Sequence, residues 1–476
     1  MAIRQYTSSA DTTITNAYKE GLVSRGTGSN MGAADILETF QIYGQYSSSS
    51  VELARALVQF PISTVISDRN SGLIPAAGSV SFYLKLYNAE HGQTTPDNFT
   101  ISVTAVSASW QEGTGLDMGN YTDITYDKLG ANWIKASGST SWTTAGGDYH
   151  ASPSYTVNMP KGTENIELDV TTLVEQWIDG TKTNYGFGIH LSDNFESASQ
   201  SYYTKKFFSR TTQYFHKHPC LEARWDSSTR DDRATFYISS SLMPSADNVN
   251  DLYLYNYARG ILADIPSIGT GSIYVSLYET LGGTALTLCD GETVATGSHV
   301  STGIYKAAVC TTSTATTLYD VWHSGSSEYH TGSITPKSHA ALTYNSNTEY
   351  LVSIKNLKKE YRKNENARFN LYVRPKNWSP TVYTTATSTP ENVIIPTASY
   401  EIVREIDNLI VIPHGTGSTK HTIMSYDTNG NYFDLNMKHF EPGYSYKIKI
   451  AFYDSAVGSY NSQPYEFKFR VREDVY

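Results

Sequence analysis

The chain is 476 residues long with a formal net charge of -10; only 17% of it is charged, whereas Tyr (37) and Gly (34) abound. A chain of this length exceeds what one hydrophobic core serves, so about two to four domains are expected. The acidic balance excludes the broad basic surface that duplex nucleic acid requires, and no stretch reaches the roughly 18 to 20 apolar residues of a membrane helix.

Residues Met1 to Ala10 hold no apolar core of a signal peptide, which gives the expectation of synthesis in a cytoplasm. Strict alternation then dominates, the mark of strands with one buried face. Val80, Phe82, Leu84 and Leu86 interleave with Ser81, Tyr83, Lys85 and Tyr87. The pattern returns at Ile273, Val275 and Leu277, at Phe369, Leu371 and Val373, and at Tyr444, Tyr446, Ile448, Ile450 and Phe452. It closes at Tyr465, Phe467, Phe469 and Val471, with Glu466, Lys468, Arg470 and Arg472 on the other face.

One segment reads as a helix, because Val170, Leu173, Val174, Trp177 and Ile178 share one face of a 3.6-residue period. Asp169 or Thr172 is expected to cap it, Thr172 and Glu175 have capping-box spacing, and Gly180 suits the last turn. The polar run Asp226 to Arg233 reads as a linker, and Ile334 to His339 as a second junction. Three domains are expected, at 1–228, 229–337 and 338–476. The fold class is all-β: tandem β-sandwiches, the first jelly-roll-like with one short helix, the next two immunoglobulin-like or similar.

Candidate chemistry is sparse. Asp and Glu are dispersed, and neither a Gly-x-Ser-x-Gly elbow nor a His-Glu-x-x-His run occurs, so no catalytic residue is assigned. Gly26-Thr-Gly28 and Gly415-Thr-Gly417 lack the Lys-Ser/Thr of a phosphate loop. His216 and His218 would share one face of an extended strand, but two imidazoles without a third ligand make no metal site, and no calcium-loop spacing occurs. No metal and no cofactor is expected. Cys220, Cys289 and Cys310 lack zinc spacing; Cys289 and Cys310 could face each other across a sheet, but free buried thiols are the expectation for a reducing compartment.

Two groups remain as binding candidates. Trp110 and Trp142 lie in turn-like contexts where an indole could stack on a sugar ring, whereas Trp177 belongs to the helix stripe; exposed Tyr residues would serve equally. Lys355, Lys358, Lys359, Arg362 and Lys363, with Arg368 and Arg374 beyond, form a basic cluster opposed nearby by Glu360 and Glu365, either a dock for an acidic partner or a solvated loop.

An ordered set of features across 1–228 resembles the DNRLRE family of β-sandwich modules, grouped with carbohydrate-binding modules. It comprises Ala10-Asp11, Asn30-Met-Gly32, Arg55 to Ile62, the strand Val80 to Tyr87, Trp110-Gln-Glu-Gly-Thr-Gly115, Trp133, Trp142, and Gly146-Gly-Asp148. The helix Asp169 to Trp177, Asn184 to Leu191, Phe207-Phe-Ser-Arg210 and Pro219 to Trp225 complete it. In the last domain, Ile354 to Leu357, Tyr400 to Leu409, Ile412 to Ser418, Ser425-Tyr-Asp427, Asn431 to Asp434 and Gly443 to Tyr446 resemble virion structural proteins of T-even-type marine tailed phages. Family members of the first kind usually follow a signal peptide, and a phage particle, made in a host cytoplasm yet facing cell-surface glycans, reconciles the two.

The resemblances imply a virion structural protein of the neck, tail or capsid-attached fibre layer, working by contact with other virion proteins and assembled as a symmetric homo-oligomer. No nucleic-acid partner and no membrane insertion are expected. The alternatives are a glycan-binding adhesin whose first domain meets a host surface polysaccharide, and a polysaccharide-degrading enzyme with a cleft of convergent ionisable groups.

Overall fold

The computed structural model describes residues 2–19, 21–92, 95–116, 129–339, 349–378, 382, 392–454 and 457–474, apart from the side chain of Tyr203. The chain divides into two compact units, Ala2–Asp226 and Ser227–Tyr476. Both are built from sheets that are antiparallel except where Glu360–Arg362 meets Arg470 to Arg472, with few helices, an all-β architecture of tandem sandwiches.

In chain order the first unit carries β1 (Ile3–Thr7), β2 (Ala10–Thr15), β3 (Ile36–Tyr43), β4 (Val51–Gln59), α1 (Ile62–Asn70), β5 (Ser81–Leu86) and β6 (Phe99–Val106). There follow β7 (Tyr149–Met159), β8 (Ile166–Asp169), α2 (Thr171–Ile178), β9 (Phe187–Leu191), α3 (Asp193–Glu196), β10 (Tyr202–Phe208) and β11 (Cys220–Arg224). One sheet runs β1-β11-β5-β8; the other runs β10-β3-β4-β9-β6-β7, with β2 also paired to β4. The alternation read in β5 turns Phe82, Leu84 and Leu86 into a core shared with Leu221 and Ala223 of β11 and with Ile101, Val103, Phe187 and Ile189. Burial of each such side chain contributes about 1.5 to 3 kcal/mol before the entropy of ordering is subtracted.

Helix α2 lies where the periodicity placed it, with Leu173, Val174 and Trp177 buried and Gly180 at φ 81°. Its cap differs. Val170 is the N-cap and has no side-chain bond; Asp169 instead accepts from the amide and hydroxyl of Thr171 at 2.9 and 2.6 Å. Glu175 forms no capping box, because both its oxygens take the guanidinium of Arg69 at 2.6 and 2.7 Å. That pair ties α2 to α1, a helix the sequence reading missed. The buried side of α1 holds only Ile62, Val65 and the carboxylate of Asp68, which accepts from Arg4 and Tyr6. A stripe with a charged member gives no amphipathic signal.

The second unit carries β12 (Asn250–Tyr255), β13 (Tyr257–Ala258), β14 (Ile261–Leu262), β15 (Ile273–Tyr278), β16 (Ala295–Ser301), β17 (Ile304–Val309), β18 (Leu318–Ser324) and β19 (Ser327–Ile334). Beyond them come β20 (Tyr350–Ile354), β21 (Glu360–Arg362), β22 (Asn366–Pro375), β23 (Ser399–Arg404) and β24 (Ile410–Ile412). The last are β25 (Ser425–Asp427), β26 (Gly430–Asn436), β27 (Ser445–Asp454) and β28 (Ser459–Arg472). A six-stranded sheet, β12-β17-β16-β15-β18-β19, wraps a core that includes Ile273, Val275, Leu277, Tyr305 and Trp322. A four-stranded sheet, β20-β22-β26-β25, and a five-stranded one, β21-β28-β27-β23-β24, complete the unit. Aromatic rings fill the space there: Phe433 stacks on Phe369 and Tyr400 at 5.1 and 4.3 Å, and Phe469 meets Tyr446 and Phe440 at 5.7 Å.

Two expectations are corrected here. The residues read as a linker are in part a clasp inside the second unit. Asp231 donates its amide to the carbonyl of Tyr426 at 3.0 Å, the hydroxyl of Tyr426 donates to Asp232 at 2.6 Å, and Arg233 reaches Asp320 at 2.5 Å. Polar composition marked them as solvated, but their charges are satisfied by partners up to 194 residues away. The thiols of Cys289 and Cys310 are likewise not free: they form a disulfide with Cα atoms 5.4 Å apart, normal spacing for a bridge. Cys220 is buried and reduced, and burial pushes its thiol up to about 12.

Candidate functional site

Four of the sequence features quoted for the first unit, those holding Asp11, Asn30, Glu112 and Arg210, are scattered over 200 residues yet meet around Asn30. Its side-chain amide donates to the carbonyls of Glu112 and Ala131 at 2.7 and 2.9 Å and accepts from the amides of Gly32 and Gly115 at 3.2 and 2.9 Å. All four sites are thereby used. At 2% exposure this is an internal junction. The crowding explains the glycines: a Cβ on Gly115 would stand 2.0 Å from the carbonyl oxygen of Asn30, and one on Gly130 2.2 Å from its amide nitrogen.

Beside it, Glu112 accepts the amide of Asp11 at 2.9 Å and the guanidinium of Arg210 at 2.6 Å, and the amide of Arg210 returns to Asp11 at 2.7 Å. Burial, reinforced by the charge of Glu112, raises the carboxyl of Asp11 from 3.8 to about 7. A group held neutral by the fold contributes stability that is complete below the unfolded value and is lost as pH rises through the folded one. Between about pH 4 and 7 this carboxyl therefore favours the fold increasingly as the solution is acidified. We expect the melting temperature of the wild type relative to Asp11→Asn to rise as the pH falls from about 7.5 to about 5; a difference that does not change with pH contradicts the assignment.

The tryptophans singled out for sugar stacking are placed differently from one another. Trp142 is 6% exposed and donates its indole N–H to the carbonyl of Asn132 at 2.8 Å, inside a cluster with Ile14, Leu57 and Trp133. Its ring faces are core surface. Trp110 is half-buried at the margin of the same cluster, with its N–H given to the carbonyl of Tyr185 at 2.7 Å.

His190, Asp193 and Glu196 bring ligand atoms within 4.8 Å of one another, the sole such group of three among the described residues. It is an ion-pair site: both oxygens of Glu196 take Arg55 at 2.9 and 2.5 Å, and Nδ1 of His190 lies 2.8 Å from the carbonyl of Leu191. Arg55 also donates to the carbonyl of Gly146 at 2.9 Å and lies 5.3 Å from the Trp133 ring. His216 and His218 share no strand face, because Phe215–Lys217 is a 3-10 turn and Nε2 of His218 lies 2.8 Å from the carbonyl of Thr212.

The basic cluster is real in the second unit and largely compensated. Lys358 pairs with Glu365 at 2.6 Å, Lys363 with Glu473 at 3.5 Å and Arg368 with Asp434 at 2.8 Å. Lys355 lies over the ring of Tyr372 at 5.6 Å, while Lys359 and Arg362 are exposed beside Arg470 and Arg472 of the adjoining β28. Strand pairing puts Glu360 opposite Arg470. The sequence showed the local run but not the acidic partners from distant strands.

A second concave feature was not anticipated. Within the second unit a cavity of about 210 Å³ is lined by Tyr255, Tyr257, Arg368, Tyr432, Asp434 and Ser425, among others. Its lining residues run from Ser227 to Asp434, so no local motif announces it.

No family model matches the chain, and no curated protein matches it. Solved structures give distant likenesses only. Adhesin InvE of Yersinia pseudotuberculosis is 12% identical, with a TM-score of 0.16 over 46% of this chain and 54% of that one, so the match spans about half of InvE. The Ig1-2 module of the Drosophila receptor protein tyrosine phosphatase DLAR is 7% identical, with a TM-score of 0.14 over 48% of this chain and 91% of that one. At these scores the matches carry no argument about this chain.

Proposed function

We propose that the chain is a structural component of a tailed-phage particle that works by protein-protein contact, its first unit a DNRLRE-type module and its last segment akin to virion proteins of T-even-type marine phages. The observation that carries this reading is the open edge of the first unit. Among the described residues strand β7 ends its sheet, and its eleven residues include no Lys, Arg, Asp or Glu. Soluble proteins usually blunt such edges with charge, proline or a bulge. Here Pro153 guards one half, while Ser154 to Met159 pairs regularly with β6 and offers its far side to an added strand. The long β28 adds a second partly uncovered edge, since β21 covers only Arg470 to Arg472 of it among the described residues, but Pro464, Glu466 and Lys468 blunt that one.

The convergence of Asp11, Asn30, Glu112, Gly115 and Arg210 on one junction supports the DNRLRE-type assignment, because it gives these five motif residues a shared structural task. The Cys289–Cys310 bridge suits a protein whose working position is outside a reducing cytoplasm. The test is Thr156→Lys with Asn158→Lys, two exposed positions of β7. By analytical ultracentrifugation and incorporation into particles, the pair is expected to abolish association while leaving the melting temperature within about 1 °C, as surface changes away from buried partners usually do. Unimpaired incorporation contradicts strand addition at this edge.

A further inference from the structure

We propose that the cavity in the second unit is a binding site for one neutral pyranose ring of a polysaccharide. Its walls combine the two things a sugar needs, flat aromatic surface for its C–H face and directed polar groups for its hydroxyls. Tyr257 supplies the first, standing at the rim on the two-stranded ribbon of β13 and β14, 59% exposed, while Tyr432 of β26 is buried beneath Arg368 and forms the wall behind it. That ribbon turns through Arg259 and Gly260, both at positive φ (53° and 81°), which fixes the hairpin that holds Tyr257 out.

The polar groups are built rather than incidental. Arg368 lies 4.3 Å over the Tyr432 ring and binds both oxygens of Asp434 at 2.8 and 3.0 Å. This locks a planar guanidinium and carboxylate side by side, with donors and acceptors left over for adjacent hydroxyls. The hydroxyl of Tyr255 is buried and makes no hydrogen bond of normal geometry, although Tyr432 is its neighbour; burial raises its pKa well above the usual range. A buried hydroxyl so poorly paired costs stability that a ligand hydroxyl restores. Ser425, whose hydroxyl accepts the amide of Thr229 at 2.9 Å, retains its proton to donate.

Charge decides between ligand classes. The one cation and one anion among these groups neutralise each other, so the site offers no net field to a phosphate or an ammonium, and a neutral polyol fits. The cavity, at about 210 Å³, takes a single ring and leaves the rest of a chain outside past Tyr257. The proposal goes beyond the assembly reading and stands or falls separately from it.

The experiment is saturation-transfer NMR followed by calorimetry on the full chain, with methyl glycosides of neutral hexoses and N-acetylhexosamines as probes. At least one probe is expected to bind in the millimolar range. Arg368→Ala and Tyr257→Ala are each expected to weaken it by about tenfold, roughly 1.4 kcal/mol of contact, while Trp110→Ala leaves it unchanged. Tyr257 is exposed, so its variant keeps the fold and the result remains readable if Arg368→Ala unfolds. Absence of binding by every probe, or binding unaffected by Tyr257→Ala, overturns the proposal.

Discussion

Replacing Asn30 by alanine is expected to destabilise the first unit by about 4 kcal/mol, because it leaves two buried carbonyls and two buried amides without their partner, each costing on the order of 1 to 3 kcal/mol with partial relief from relaxation. The acceptors and donors lie on segments around Gly32, Glu112, Gly115 and Ala131 that no strand ladder joins. Asn30 therefore reinforces the two direct backbone bonds between these loops, from the Ala33 amide to the Gly115 carbonyl at 2.8 Å and from the Ala131 amide to the Gln111 carbonyl at 2.7 Å. Asn30→Asp tests the mechanism, since a carboxylate keeps the two acceptor bonds and loses the two donor bonds. Denaturant unfolding should rank wild type above Asp and Asp above or level with Ala. Gly115→Ala, which would place a methyl 2.0 Å from a backbone oxygen, should fail in the same way. A loss under 1 kcal/mol for Asn30→Ala contradicts the junction's role.

Arg233→Ala is the second large effect, at about 3 to 5 kcal/mol, the usual result of stripping one partner from a buried ion pair. Asp320 and Asp231 are both buried, and Asp320 also accepts the indole N–H of Trp322 at 2.8 Å. Arg233 further donates to the carbonyl of Tyr253, so one guanidinium joins β12 and β18 of the six-stranded sheet. Burial raises Asp231 to about 6, and Arg233 acts against that rise; without it the Asp231 carboxylate is pushed further toward the neutral form. Hydrogen exchange locates the damage: amides of β12 and β18 should exchange faster in the variant while those of β4 and β9 keep their rates. Uniform protection in both strands contradicts the clasp.

What the sequence made legible follows from periodicity. Phe82, Leu84 and Leu86, then Ile273, Val275 and Leu277, then Phe369, Leu371 and Val373 all turn inward as alternation required. The signal is strong because a one-residue slip would expose the whole set. Helix α1 was hidden because Asp68 occupies its buried face, and the clasp Asp231–Arg233 because its partners Asp320 and Tyr426 are remote in sequence. Trp142 illustrates a different limit. A turn-like context says where the backbone goes, not whether the indole points inward, and here its N–H bonds the carbonyl of Asn132 within the core. The cavity around Tyr432 was unreadable for the same reason, since Tyr255, Arg368 and Ser425 meet only through the fold.

The function proposed rests on contact through sheet edges, and it is tested most directly by quantitative mass spectrometry and electron microscopy of purified particles from cells in which the chain is made. The account predicts a fixed, symmetry-related copy number, with density for the sandwiches joined to neighbours along β7 or β28. Particles that lack the chain, or a purified chain that degrades a polysaccharide, would contradict it.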